Sequence, residues 1–263
     1  MLEEPTDSTH QRYGIEVGAD IADAINLDDF YVYDLQKQYV LSYFQDVLFK
    51  HLYAELGAEL ATNFRVTSSS QIVTAMFTQR DVFEELTRAC EGVTRDFINI
   101  LARAILKSRQ LGRAKIDKKT IMTVAGEWFE KDKHPHLNDK GQDLLASIID
   151  DVIGRKKARC FMVEQRLSSH PSLQSLYDFR VIHLIHKGYS HRDNPGKRFN
   201  IFILDYGTYV EMLRTHQWNQ QLSMFVDNDA TDDLDFDTVP YDDRRSIRNI
   251  VLPQMILDRF NLA

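Results

Sequence analysis

The chain has only two cysteines in 263 residues, Cys90 and Cys160, each inside an apolar pattern. So few exclude a disulfide framework or a cysteine-rich zinc module, and predict buried, reduced thiols of the kind a cytoplasmic protein carries. Long apolar runs are missing as well: none approaches the roughly 18 to 20 residues of a membrane span. The opening stretch MLEEPTDSTHQRYG is acidic and polar, which reads as neither a signal nor a transit peptide. Signatures of nucleotide and hydrolytic chemistry are also absent. There is no Gly-x-x-x-x-Gly-Lys-Ser/Thr loop, no Gly-x-Gly-x-x-Gly turn, no Gly-x-Ser-x-Gly elbow and no His-Glu-x-x-His helix. By this reading the chain alone is not an enzyme, and no catalytic residue, cofactor or metal is assigned to it.

What is present is ordinary for a globular protein: 43% hydrophobic and 27% charged residues. The length suits one large domain or two small ones. A formal net charge of -7 argues against a protein that coats nucleic acid indiscriminately. The charge is unevenly spread, however. Lys, Arg and His concentrate between Arg155 and Arg198, and aspartates between Asp227 and Asp243.

Helical periodicity is clearest in QKQYVLSYFQDVLFKHLYAEL, where Val40, Phe44, Val47, Leu48, His51 and Leu52 recur on one face. ATNFRVTSSSQIVTAMF, rich in Ser and Thr, reads as a surface loop. A second helix over about Gln79 to Glu91 stops at Gly92, which suits the left-handed position past a helix end. Thr94 then reads as the N-cap of a third helix with Phe97, Ile98, Leu101, Ala104 and Ile105 on one face. Asp117 caps a fourth, with Ile121, Val124, Ala125, Trp128 and Phe129. None of these helices is stable alone, so their stripes must face one another. EKDKHPHLNDKG marks a boundary. Beyond it come a helix (GQDLLASIIDDVIG), a strand (ARCFMVEQRL) and a helix running from Pro171 to Gly188. A hairpin with DNPG at its turn follows.

The expected fold class is therefore mainly α, as α+β: a helical bundle followed by a winged-helix domain with a small β-hairpin. The expected organisation is a linker over 1–35, the bundle over 36–133 and the winged helix over 134–216. An acidic segment and a C-terminal amphipathic helix then occupy 217–263. His183 and His186, three apart, and His191 in the hairpin invite a metal-site reading, but a basic helix and wing beside nucleic acid explain them better. In a winged helix the second helix of the pair enters the major groove and the hairpin straddles the backbone. Arg180 and Lys187 would lie on that helix, with Arg192, Lys197 and Arg198 at the wing, facing phosphates. A solvated basic face, a protein-docking module and a surface shielded by the acidic segment fit the same residues. Arg95 sits in the first turn of a helix, where acidic residues are the rule. It is either an exposed arginine with a packed stem or a forked donor to a phosphate at the helix N-terminus.

FEELTRACEGVTRDFINILARA resembles the lid helices of AAA+ ATPases of the origin-recognition type. In that family a G-x-x-R segment supplies the sensor-2 arginine that reaches the terminal phosphate of ATP, and Gly92 and Arg95 match it. LYDFRVIHLIHKGYSHRDNPGKRFNIFILDYGTYVEM is similar to the C-terminal winged-helix region of bacterial members. The likeness covers roughly Gln36 to Leu213. It implies an ATPase core, with ATP and Mg²⁺, that these residues do not contain. Residues 1 to 35 would be the last remnant of that core, which would lie in a longer protein or in a partner subunit. On this resemblance the chain binds double-stranded DNA and senses the nucleotide state of that core through Gly92 and Arg95. The alternative is a module for protein–protein contact or homo-oligomerisation, through the winged helix and the C-terminal helix. Neither reading involves a membrane.

Overall fold

The computed structural model describes residues 33–150, 159–192, 194–212, 214 and 250–260. The first helix, α1 (Tyr33–Leu56), turns Val40, Leu41, Phe44 and Leu48 inward at helical spacing. After the single turn α2 (Glu59–Thr62) comes α3 (Ser69–Met76), in the stretch whose composition reads as a loop. That expectation is corrected by local chemistry. Ser68 stands at the N-cap, Gln71 reaches back to accept the Thr67 backbone N–H at 2.8 Å, and Ile72 and Val73 are buried beneath.

The next helix, α4 (Arg80–Ala89), ends where Glu91 and Gly92 both take positive φ, 47° and 84°. This two-residue turn redirects the chain into α5 (Thr94–Gln110), as the glycine at 92 predicts. The cap differs from expectation. Val93 holds the N-cap position and Thr94 is the first helical residue, its hydroxyl 3.1 Å from that of Tyr43 on α1. Phe97 stacks on Phe44 with ring centroids 4.5 Å apart, which pins α5 to α1. Asp117 caps α6 (Lys118–Trp128) as expected, accepting the Thr120 N–H at 2.8 Å.

At the end of α6 the chain makes a π-helical turn, Phe129–Lys133, then a short 3₁₀ turn, His134–His136, before α7 (Asp139–Ile148). Strand β1 (Cys160–Glu164), helix α8 (Pro171–Asp178) and strands β2 (Ile182–Ser190) and β3 (Arg198–Leu204) follow. Residues 206–212 form α9, and α10 (Gln254–Asp258) closes the described chain. The three strands form an antiparallel sheet in the order β1–β3–β2. Val251 adds a parallel bridge to Met162 at its edge.

The helix expected to run from Pro171 to Gly188 is corrected to a helix and a strand. The chain leaves α8 by a Schellman turn: the Arg180 N–H bonds Tyr177 O at 2.9 Å and the Val181 N–H bonds Leu176 O at 2.8 Å. Arg180 has φ 59°, a position that glycine usually fills. From Ile182 onward the chain pairs with β3, so His183, His186 and Lys187 lie on a strand. Irregular register between Leu184 and Tyr189 breaks the strict alternation that would have marked this strand in the sequence.

Phe161, Val163, Phe202 and Leu204 face one side of the sheet and join a core that continues through every helix from α1 to α8. Cys160, Met162, Ile201 and Ile203 pack with Ile185 and Phe199 on the other side. Both cysteines are buried and form no disulfide. The architecture is mainly helical with a small antiparallel sheet, an α+β fold. The core passes through the expected boundary at residue 134 without a gap. Among the described residues no helix is long and apolar enough to cross a membrane. Of the linker expected over 1–35, residues 33–35 belong to α1, while the first 32 residues and the acidic stretch between Asp227 and Asp243 lie outside the described residues.

Candidate functional site

Two places gather the charged residues singled out in the sequence. The first is the seam between the helical bundle and the sheet. The π turn after α6 adds a residue to the helical repeat and sends two neighbouring side chains in opposite directions. Lys133 points inward and is buried, with its Nζ 2.6 Å from Asp205 and 2.9 Å from Asp96. Asp132 points outward into a cleft of about 280 Å³ lined by Arg95, Asp132, His136, Asp178, Phe179 and Arg180. Its two carboxylate oxygens accept one arginine each: Arg95 from the start of α5 at 2.7 Å, and Arg180 from the α8–β2 turn at 2.8 Å. Arg180 also approaches Asp96 at 3.6 Å. Arg95 remains 59% exposed, while Asp132 is largely covered.

Asp205, at the end of β3, is the anchor of this seam. It accepts the Thr208 N–H at 3.0 Å and the Thr208 hydroxyl at 3.2 Å, besides Lys133 and the nearby His183 ring. Burial alone would raise its pKa, but the Lys133 ammonium and the His183 hydrogen bond overcome that and hold the carboxyl well below the usual range. Burial would likewise push Lys133 down, yet Asp205 and Asp96 together raise it. Both groups are therefore charged at neutral pH. A second buried cluster lies alongside. Arg159 pairs with Glu91, the Tyr206 hydroxyl donates to Glu85 at 2.5 Å, and the Arg88 and Arg159 guanidinium groups lie 5.7 and 5.8 Å from the Tyr206 ring centroid. Burial and the Glu85 carboxylate push the Tyr206 phenol well above its ordinary value, so it stays protonated.

The second place is the free end of the β2–β3 hairpin. Lys187, Arg192, Lys197 and Arg198 are all exposed there. Arg198 is set across the hairpin by bonds to Gly188 O at 3.2 Å and the Ser190 hydroxyl at 2.6 Å. Lys197 pairs with Glu164 at 3.0 Å, and Arg166 pairs with the same carboxylate. Hydrogen bonds from Arg166 and then Lys197 lower the Glu164 pKa, so this counter-charge persists at any neutral pH.

The seven residues expected to carry function thus separate into two groups. Gly92, Arg95 and Arg180 belong to the seam, and Lys187, Arg192, Lys197 and Arg198 to the hairpin. Arg180 faces inward to Asp132 and Asp96, not outward with the hairpin. Within the basic stretch from Arg155 to Arg198 the acidic residues are Glu164, Asp178 and Asp193. In space Glu91, Asp96 and Asp132 also neutralise it, since they hold Arg159 and Arg180. Asp132, Lys133, Asp205 and Tyr206 were not singled out in the sequence, and their partners lie 48 to 121 residues away for the bonds Arg180–Asp132, Lys133–Asp205 and Tyr206–Glu85. His183 bonds Asp205 and His191 lies 3.1 Å from the Asn194 side chain, and among the described residues no group of three or more His, Cys, Asp or Glu side chains is placed to hold a metal ion. Comparison with known proteins finds no match: no family model, no curated protein and no solved structure is similar to the chain.

Proposed function

We propose that this chain binds the backbone of double-stranded DNA through a winged-helix unit formed by α7, β1, α8 and the β2–β3 hairpin. The helical bundle ahead of it acts as an AAA+ lid, with Arg95 sensing the nucleotide phosphate of an ATPase core in the same protein or in a partner subunit. The observation that carries the reading is the hairpin itself. Four exposed cations, Lys187, Arg192, Lys197 and Arg198, sit at its free end, beside a sheet of order β1–β3–β2 in which β1 comes between α7 and α8 and the hairpin strands follow α8. Phosphate contacts of this kind position a protein without reading sequence. Arg180 is left out of the contacting set because Asp132 and Asp96 hold it.

The lid reading draws support from the placement of Arg95, exposed at the N-terminus of a 17-residue helix and held by one carboxylate that an anion can replace. Because Asp132 also binds Arg180, a phosphate that drew Arg95 away would be felt at the α8–β2 turn. The test of the DNA reading is charge reversal. Arg192→Glu, Lys197→Glu and Arg198→Glu together abolish binding to a labelled duplex and leave the thermal midpoint within a few degrees. Undiminished binding by this variant overturns the assignment.

A further inference from the structure

In the helical bundle, α1, α2, α3 and the end of α5 enclose a groove of about 540 Å³. Its walls are apolar: Leu52, Leu56, Leu60, Phe64, Ile72 and Met76 line it, and Phe64 is 57% exposed. The end of α5 and the loop that follows it supply its rim, with Arg109 on the helix and Arg113 and Lys115 on the loop, and no acidic residue lines it. In the wall stands Ser108, 3% exposed, whose hydroxyl has no hydrogen-bond partner. A buried polar atom left so carries a cost that a ligand's acceptor would remove.

We infer that this groove is a docking site for an acidic, amphipathic peptide segment of a partner protein. The volume exceeds what one side chain fills, and an apolar face with residues at i, i+3 or i+4, and i+7 suits such a groove. Three cations spread along a rim match several carboxylates better than the single head group of an alkyl acid. Two of them are already steered by the fold: Lys115 donates to Thr74 O at 2.7 Å and Arg113 pairs with Asp117. Arg109 stands exposed at the end of α5 as the third. Charge complementarity sets the partner's sign, and the apolar wall sets its hydrophobic face. The inference is independent of DNA binding, since none of the hairpin cations lines the groove.

The experiment is fluorescence polarisation of the full chain against a labelled peptide of about 16 residues, with Leu and Phe at helical i, i+3, i+4 and i+7 spacing and Glu or Asp between them. A matched peptide with Lys in place of the acids, dodecanoate and unlabelled duplex serve as competitors. Saturable micromolar binding of the acidic peptide is expected, with no displacement by the basic peptide or the duplex. Ala75→Glu, at an exposed position of α3 in the groove, weakens it at least about tenfold, equivalent to about 1.4 kcal/mol. Arg109→Glu weakens it severalfold and makes the remaining affinity less sensitive to salt. Ala75→Ser retains binding and guards against a folding artefact. No binding, equal binding of both peptides, or binding indifferent to Ala75→Glu overturns the inference. Tighter binding and full displacement by dodecanoate would also overturn it, in favour of a small anionic amphiphile.

Discussion

Replacing Lys133 by Met removes the one ammonium that sits between Asp96 and Asp205 while keeping the length of an apolar stem. The three groups are each at most 2% exposed, so the loss is not screened by solvent. Breaking a buried pair from one side costs about 3 to 5 kcal/mol, because the remaining charge has lost its partner. Two carboxylates are stranded here, but not equally. Asp205 keeps its bonds from Thr208 and His183, and Asp96 keeps, among the described residues, the Arg180 guanidinium at 3.6 Å. The lower half of the range, about 3 to 4 kcal/mol, is therefore expected from urea unfolding at pH 7, followed by the fluorescence of Trp128, which is buried in α6. Arg95→Met is the control. It removes an ion pair of which one partner is 59% exposed, and it costs less than about 1 kcal/mol.

The pH dependence adds a sign. The folded Asp205 carboxyl is held below its unfolded value of about 3.9, so its pairing stabilises the fold above that pH and the stabilisation is lost as pH falls through the folded value. Lys133 is raised, so its share is present below about 10.4 and lost as pH rises through the folded value. The Met variant keeps the His183 bond but loses the ammonium, so Asp205 is less depressed and the deficit relative to the parent narrows between pH 7 and pH 3. A loss below about 1 kcal/mol at pH 7, or a deficit that widens in acid, would show that the seam is wet and that the reasoning from its burial is wrong.

Arg180 occupies a left-handed position that favours glycine. Arg180→Ala loses the ion pairs and keeps the strain, and is expected to be about 1 kcal/mol less stable than Arg180→Gly in the same unfolding assay. At Gly207, where α9 begins, a Cβ would overlap the backbone carbonyl of Ala125 in α6. Gly207→Ala should cost about 1 to 3 kcal/mol, read as a lowered thermal midpoint. Glu164→Gln frees Lys197 and Arg166 from their shared carboxylate. It should tighten duplex binding about two- to fivefold at low salt, an effect of up to about 1 kcal/mol for a charge near phosphates in water. Weaker binding in this variant would place the hairpin elsewhere than on the DNA.

Much of the helical bundle is legible in the sequence because its signals are local. The apolar stripes of α1, α5 and α6, the glycine that ends the α4 turn and the aspartate that caps α6 each lie within a few residues of the structure they specify. The failures are physical too. The run from Val181 to Gly188 is short and apolar, and with an irregular strand register it satisfies helical spacing as readily as alternation. The stop signal that would have ended α8 was hidden, because an arginine held by distant carboxylates fills the place of a glycine. Serine and threonine masked α3, although Ser68 and Gln71 already spelled its cap. The seam could not be read at all. Lys133 and Asp205 are 72 residues apart and Tyr206 and Glu85 are 121 apart, and only the folded chain brings them together.

The most direct test of DNA binding is the anisotropy of a labelled duplex titrated with the chain at about 50 and 200 mM salt. Four hairpin cations, each neutralising one phosphate, give a slope of about -3.6 in log affinity against log salt, and so a weakening of about 10²-fold across that range. Binding with that slope is the predicted result. No binding at the lower salt, or affinity that does not change with salt, would contradict it.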